Sequence, residues 1–296
     1  NADLLIQAGK IVAVGPDLDA PRGAIEIDAT GKHVTPGLID PHIHSGVSSV
    51  NESGFAIVPE VQMGDVVTHN NIWMYRQLAG GLTTAHIKHG SANPIGGQSG
   101  LIKFRWGLPP DQLKIQGADG FIKFALGENV KQSNWGDRNT VRYPQSRMGV
   151  EQVYYDAFIR AKEYDAAWKK YNRLSKKGKE KTDAPRRDLE LDILAEILNK
   201  KRFITCHSYE QGEINMLMHV ADSMGFRINT FTHILEGYKV ADKMKAHGVG
   251  ASTFSDCWAY KFEVSDAIPY NGALLADMGV IPAYNSADSE MAWLFN

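Results

Sequence analysis

The amino-acid sequence predicts an α/β fold in which a TIM-type (β/α)8 barrel of eight parallel strands follows a small N-terminal β-unit. Short apolar runs alternate with segments of helical period, and eight such runs lie beyond residue 36. The chain has 296 residues, which is long enough for one barrel with a small appendage and a substantial core.

The small β-unit is predicted over residues 1–35, and the barrel over 36–296. Residues 2–14 read as two short alternating strands around an Ala-Gly-Lys turn. Residues 24–34 repeat this pattern around a Thr-Gly-Lys turn, so we expect strands there as well.

The eight barrel strands are predicted from apolar runs bounded by turn residues. They lie at residues 37–44, 82–88, 101–106, 120–126, 202–207, 227–233, 248–254 and 279–285. Because the helical segments fall between these runs, each strand is expected to run parallel to its neighbours.

One long segment, 151–199, has a helical period. The residues spaced to face a core are Val153, Phe158, Ala161, Tyr164 and Trp168. The basic stretch 176–187 is predicted to be a solvated connection between two helices. The alternative, a nucleic-acid patch, lacks interleaved aromatic residues and an overall basic balance.

Composition limits the classes of partner. With 32 basic and 34 acidic residues the net charge is −2, which argues against nucleic acid or an anionic membrane as a partner. No apolar run is long enough to span a membrane. No signal peptide is visible, but the sequence starts at Asn1, so either a cytoplasmic protein or one exported after loss of a leader is expected. Cys206 and Cys257 are predicted to be buried free thiols.

Two histidines end the first predicted strand. Residues two apart in a strand point to the same face, so His42 and His44 can bind one ion together. Pro36 and Gly37 mark a turn into this strand. The alternative is a pair of core histidines without a ligand.

Three further metal-ligand candidates end later strands. His207 ends the fifth, His233 ends the sixth, and Asp288 follows the eighth. In a parallel barrel the carboxyl ends of all strands lie on one rim, so residues far apart in sequence can converge. Imidazole and carboxylate are the ligands that zinc prefers.

The run PGLIDPHIH at 36–44 resembles the first barrel strand of the amidohydrolase superfamily, whose members hold one or two divalent metals. A second run, GSANPIGGQ at 90–98, is closer to the imidazolonepropionase-like branch. The resemblance implies metal-ligand roles for His42, His44, His207, His233 and Asp288, and a proton-transfer role for Asp288. The implied cofactor is one or two divalent ions, zinc ahead of iron or manganese.

The eighth strand departs from the family pattern. The resemblance leads us to expect the acidic ligand directly after Asn285 and Ser286, where this chain has Ala287. Either Asp288 takes the role through a shift of one residue, or the ligand has been replaced. In the second case metal binding to the histidines would remain while turnover is lost.

The fourth strand carries a lysine among apolar residues, and a buried lysine is costly unless it is paired or neutralised. Lys123 resembles the lysine that is carbamylated and bridges two metals in dihydroorotase-like members. Glu128 is the alternative bridging residue, and the use of neither is the third possibility. The number of metals depends on this choice.

Substrate contacts are predicted in two loops near the same rim. The glycine-rich loop after the second strand carries His89 and Asn93, and the loop after the seventh carries Trp258 and Tyr260. Glycines allow a close approach of backbone amides to a ligand. The alternative is that His89 and Asn93 belong to an ordinary turn, and that Trp258 and Tyr260 are aromatic residues that only pack.

The resemblance implies a hydrolase that cleaves a C–N bond of an amide, cyclic amide, amidine or dipeptide-like small molecule by metal-activated hydroxide. The alternative is a metal-binding barrel without turnover. The family's last helix and returning strands, which complete a composite β-sandwich, are missing from the sequence. Because the exposed edges would need cover, we expect a homo-oligomer or a complementing C-terminal chain as partner.

Overall fold

A computed structural model describes residues 2–131, 142–254 and 261–285. The chain forms two compact units, Asn1–Pro36 and Gly37–Asn296. The first unit contains a hairpin of β1 (Asp3–Gln7) and β2 (Lys10–Gly15), which pair antiparallel. The turn between them has Ala8 at φ 50° and Gly9 at φ 74°.

The strands predicted at 24–34 do not form, so this part of the prediction is wrong. The stretch is irregular, and Ile25 and Ile27 are 91% and 84% exposed. The alternating pattern has neither a partner strand nor a packed face there, and a lone hairpin is at best marginally stable in water.

The second unit contains nine described strands. They are β3 (Leu38–Ile43), β4 (Leu82–Ile87), β5 (Ile95–Gln98), β6 (Gly100–Lys103), β7 (Gly120–Ala125), β8 (Arg202–Ser208), β9 (Thr230–His233), β10 (Gly250–Thr253) and β11 (Pro282–Tyr284). All eight predicted strands are present as elements, with ends that differ by a few residues. Only β5 was not predicted.

These strands form a mixed α/β arrangement of two sheets. One sheet has the order β11-β10-β9-β8-β7-β5 and the other β3-β4-β6. Strands β7 to β11 are parallel to one another, as are β3 and β4. The outer strands β3 and β11 are in contact, so these edges of the two sheets adjoin.

The described strands therefore do not close into the predicted barrel of eight parallel strands. The third predicted strand, β6, runs antiparallel to β4, and β5 runs antiparallel to β7. For β6 the physical reason is the connection. Residues 88–99 separate β4 from its partner β6 and contain β5 but no helix, whereas parallel partners are usually joined by a helical crossover of about a dozen residues or more.

Eight α-helices are described in this unit. They are α1 (Ile72–Ala79), α2 (Pro110–Leu113), α3 (Arg147–Asn172), α4 (Lys176–Lys179), α5 (Leu189–Leu198), α6 (Gln211–Met224), α7 (Ala241–His247) and α8 (Asn271–Asp277). Short 3-10 helices lie at Met63–Val66, Glu128–Val130, Gly237–Lys239 and Phe262–Val264. Helices α6 and α7 both end at a glycine in the left-handed region, where a side chain would be strained.

The long helical segment predicted at 151–199 is confirmed as α3 and α5 joined by a connection that contains α4. The Ser146 and Asp188 side chains cap α3 and α5 by accepting backbone N–H groups. Phe158 of α3 is fully buried and stacks on Phe226 with ring centroids 3.8 Å apart. Val153 is also buried, so this face of α3 packs on the sheet as the period predicts.

The main core lies between the six-stranded sheet and helices α3, α5 and α6. Cys206 of β8 is buried there as a free thiol, as predicted, while Cys257 lies outside the described residues. None of the described helices is both long and apolar enough to cross a membrane.

Candidate functional site

His42 and His44 lie at the end of β3 with their rings 5.2 Å apart. His42 is fully buried, and its Nδ1 lies 2.7 Å from the hydroxyl of Thr232 on β9. The Nδ1–H of His44 donates to the carbonyl of Lys88 at 3.0 Å. Each ring is thus oriented through Nδ1, which leaves Nε2 to face a ligand.

His207 at the end of β8 and His233 at the end of β9 join this pair. Their ring centroids are 4.2 Å apart, and the ring of His233 lies 5.3 Å from that of His42. Parallel pairing places Ser208 of β8 beside His233 of β9, so the carboxyl ends of these strands lie together. The four histidines, predicted from strand ends alone, therefore meet in one cluster.

The backbone at His233 is in a sparsely populated conformation. His233 has φ 63° and the following Ile234, a β-branched residue, has φ 48°. Such conformations cost on the order of 1–3 kcal/mol each and persist where the surroundings hold them. Here the Ile234 N–H donates to Ser208 O at 2.9 Å, and the Asn271 amide donates to Ile234 O at 2.8 Å. The turn holds His233 against His207.

Burial keeps these imidazoles neutral. It lowers the pKa of His42, His207 and His233 well below the ordinary value, and nearby charges add to the effect. The pKa of His44 falls to about 3, mainly through burial and the Lys123 charge. Neutral imidazole is the form that binds a metal.

Two ring nitrogens in the cluster have no hydrogen-bond partner within the described part of the chain. They are Nε2 of His207 and Nδ1 of His233, and both are buried. A buried polar atom without a partner costs about 1–3 kcal/mol, and a bound ligand would offset this cost. These orphaned donors fit a divalent metal that prefers imidazole nitrogen.

Lys123 of β7 lies against the cluster. Its side chain is 1% exposed, and its Nζ is 3.2 Å from Nε2 of His42. Burial lowers the pKa of Lys123 to about 7. The alternative residue Glu128 forms an ion pair with Lys261 at 3.2 Å. Of the two candidates, Lys123 is the one in contact with the histidines.

As they stand, the described residues contain no group of three or more His, Cys, Asp or Glu side chains arranged to hold a metal ion. The contact between Lys123 Nζ and His42 Nε2 uses one of the expected ligand atoms. Ala287 and Asp288, together with Trp258 and Tyr260, lie outside the described residues. Their roles remain predictions.

Both ring nitrogens of His89 and the amide nitrogen of Asn93 form contacts within the protein, whereas Oδ1 of Asn93 is buried without a hydrogen-bond partner among the described residues. His89 Nε2 accepts the Glu52 N–H at 2.9 Å, and its Nδ1 lies 3.0 Å from Gly90 O. The Asn93 amide donates to the carbonyls of Glu52 and Phe55, both at 2.7 Å. These contacts fix the loop at 51–55, and substrate binding by either residue stays a prediction.

Sequence reasoning missed several polar residues around the cluster. Thr232, which orients His42, gives no signal by itself. Lys88 and His86 are nearly fully buried, with 1% and 8% exposure. They lie two residues apart at the end of β4, and this spacing was a signal that both side chains face the same side of the strand. Lys261 lies 4.2 Å from the ring centroid of Tyr209, whose ring packs on that of His207 at 4.5 Å.

This fold and site define a class: an α/β protein whose parallel strands carry a cluster of neutral, buried histidines at their carboxyl ends. The amidohydrolase tasK of Hapsidospora irregularis is 28% identical over 312 residues, which covers 96% of this chain and 31% of that protein. The imidazolonepropionase of a Geobacillus species is 42% identical over 64 residues, 19% of this chain and 15% of that protein.

A crystal structure of an amidohydrolase from Thermotoga maritima MSB8 superposes with a TM-score of 0.86 and 27% identity, covering 99% of this chain and 76% of that one. No family model matches the chain. The chain spans less than a third of the length of the two relatives named above. These similarities support membership of the amidohydrolase superfamily.

Proposed function

We propose that this chain carries the active site of a metal-dependent hydrolase that cleaves C–N bonds in small molecules. The observation that supports this most is the cluster of His42, His44, His207 and His233, held neutral by burial and with two ring nitrogens lacking partners. Relatives named amidohydrolase, hydantoinase, dihydroorotase and adenine deaminase support the same type of reaction.

The four histidines would hold one divalent ion, zinc ahead of iron or manganese. A second ion would need a bridging ligand, and a carbamylated Lys123 is the candidate. When bound, such an ion polarises the scissile group and lowers the pKa of a water to near neutrality.

The residues of the chain supply orientation and proton transfer. Thr232 and the Lys88 carbonyl hold the rings of His42 and His44 through Nδ1. The Lys88 carbonyl requires the proton of His44 on Nδ1, which leaves Nε2 of His44 as the ligand atom. Asp288 would accept a proton from the attacking water and deliver it to the leaving nitrogen.

We infer that the substrate is an amide, cyclic amide, amidine or dipeptide-like compound. Short stretches of this chain resemble D-hydantoinase, dihydroorotase and imidazolonepropionase, at 63%, 52% and 42% identity over 44, 44 and 64 residues. These relatives carry different names, so the assignment to the imidazolonepropionase-like branch remains a proposal.

The test is substitution of one clustered histidine with measurement of metal and turnover. In His207→Asn, bound zinc measured by mass spectrometry should drop several-fold, and hydrolysis of a cyclic-amide panel should fall at least about 100-fold, because a ligand is lost. The control is His219→Asn on α6, where the side chain is exposed. Equal metal content in both variants would contradict the proposal.

The second candidate is a metal-binding protein without turnover, and Ala287 favours it because the family pattern places an acid there. Ala287→Asp separates the two. If Asp288 already serves, the rate of the variant stays near that of the parent. If the acid was replaced, turnover appears only in the variant while both proteins bind metal.

A further inference from the structure

A second cavity lies at the opposite end of the parallel strands from the histidine cluster. Its volume is about 470 Å³. Its mouth is formed by the segments that lead into β9, β10 and β11, including Arg227, Gly248 and Gly279. The histidines lie at the carboxyl ends of the strands, whereas the mouth of the cavity is at the other end. The inner wall of the cavity reaches Pro41 and Lys88, which adjoin the cluster.

Four small side chains on neighbouring strands leave space in the cavity. Thr205, Thr230, Ser252 and Ala283 line it on β8 to β11. Barrel-type proteins usually fill this interior with bulky branched residues. The lining mixes these polar side chains with apolar ones such as Phe121 and Ile281, so it leaves room for a ligand that carries both polar and apolar groups.

The titratable side chains that line the cavity are all basic. Arg227 and Lys245 are exposed at the mouth, while His86 and Lys88 are buried deeper. Nε2 of His86 is buried without a hydrogen-bond partner among the described residues. No Asp or Glu is among the lining residues described. Asp40 interacts electrostatically with Lys88.

Two glycines leave space for the cations at the mouth. Gly248 and Gly279 have φ of 77° and 82°. A Cβ atom on Gly248 would lie 3.5 Å from the Arg227 guanidinium carbon, and one on Gly279 would lie 3.1 Å from Lys245 Nζ. Arg227 is further held by donating to Gly248 O. The backbone at Gly248 thus holds Arg227 beside the opening, and Lys245 lies against Gly279.

From these contacts we propose that the cavity binds the phosphate group of a small molecule. A phosphate carries nearly two charges near neutral pH and accepts hydrogen bonds on several sides. Arg227, Lys245 and His86 line the cavity from three different elements, and a phosphate can accept hydrogen bonds on several sides. The proposal does not depend on the hydrolase proposed above.

The test measures binding of inorganic phosphate by isothermal titration calorimetry. Arg227→Gln and Lys245→Gln together should weaken binding at least about tenfold, since charged hydrogen bonds are lost. Lys245→Gln alone should weaken it less and leaves the Arg227 contact to the backbone intact. The charge-matched control is Arg173→Gln with Lys243→Gln, two exposed cations outside the cavity, which should bind as the parent does.

Two further measurements separate this site from the histidine cluster and phosphate from other anions. His233→Ala should bind phosphate as tightly as the parent, and acetate should bind at least about tenfold more weakly than phosphate. The proposal is overturned by undetectable phosphate binding, by equal binding in the double variant, by loss of binding in His233→Ala, or by acetate binding as tightly as phosphate.

Discussion

Glu213 on α6 is a buried carboxyl group that shares the Arg147 guanidinium with Glu210 and Glu263. The three contacts are 3.1, 2.8 and 3.1 Å. Glu213 also accepts the Gly127 N–H at 3.2 Å. Burial raises the pKa of Glu213 from 4.5 to about 7, although Arg147 opposes this. The folded protein therefore holds a proton there that the unfolded chain releases.

This raised pKa predicts a pH-dependent stability. The contribution is fully present below pH 4.5 and is lost as the pH rises through about 7. The free energy of unfolding should fall by about 3 kcal/mol over this range, because each unit of pKa shift corresponds to roughly 1.4 kcal/mol. Glu213→Gln should remove this fall. Urea unfolding between pH 4.5 and 8 measures it. Glu210→Gln, on the half-exposed partner, is the control, and an unchanged decline in Glu213→Gln contradicts the assignment.

At the level of elements, Tyr154 joins helix α3 to the sheet. Its side chain is fully buried, and its hydroxyl lies 2.7 Å from Pro94 O and 2.8 Å from Ala125 O. Ala125 ends β7, so this hydroxyl connects the helix to the strand that carries Lys123. The ring also packs on Phe124 at 5.5 Å.

We expect Tyr154→Phe to lower the free energy of unfolding by about 1–3 kcal/mol, because buried carbonyls lose a donor while the ring remains. Urea denaturation measures the change. Tyr155→Phe, the next residue on the same helix and only half-buried, should change stability by less than about 0.5 kcal/mol. Equal losses in the two variants would show that the hydroxyl of Tyr154 contributes little.

Element positions were predictable where hydrophobic period and turn residues agreed. Strands β7 and β8 begin at Gly120 and Arg202, as predicted. The direction of β6 was not predictable from its composition, because direction depends on the connection before it. The stretch at 24–34 has the alternating pattern of a strand. Such a pattern forms a strand only where another strand is available for backbone hydrogen bonding.

At the scale of the whole molecule, the histidine cluster joins the two sheets. His42 and His44 belong to the three-stranded sheet, whereas His207 and His233 belong to the six-stranded one. A metal held by all four would therefore stabilise the larger unit as a whole. This differs from a site built on one loop, where metal would stabilise only local structure.

Metal removal should accordingly lower the melting temperature of the protein. A free metal concentration a thousandfold above the dissociation constant contributes about 4 kcal/mol to folding. Calorimetry with zinc and with EDTA measures the shift. His233→Ala should show a much smaller difference between the two conditions. A parent protein with the same melting temperature in both would contradict metal binding by the cluster.

The sequence by itself determined the positions of most strands, the α3 and α5 helices, and the histidines that end β3, β8 and β9. These follow from local periodicity and from the rule that parallel strands end at one edge. Only the tertiary structure decided that β5 and β6 run antiparallel, that Lys123 contacts His42, and that Arg227 and Lys245 flank a cavity. Those features depend on chain connections and on contacts between residues distant in sequence, which no local pattern encodes.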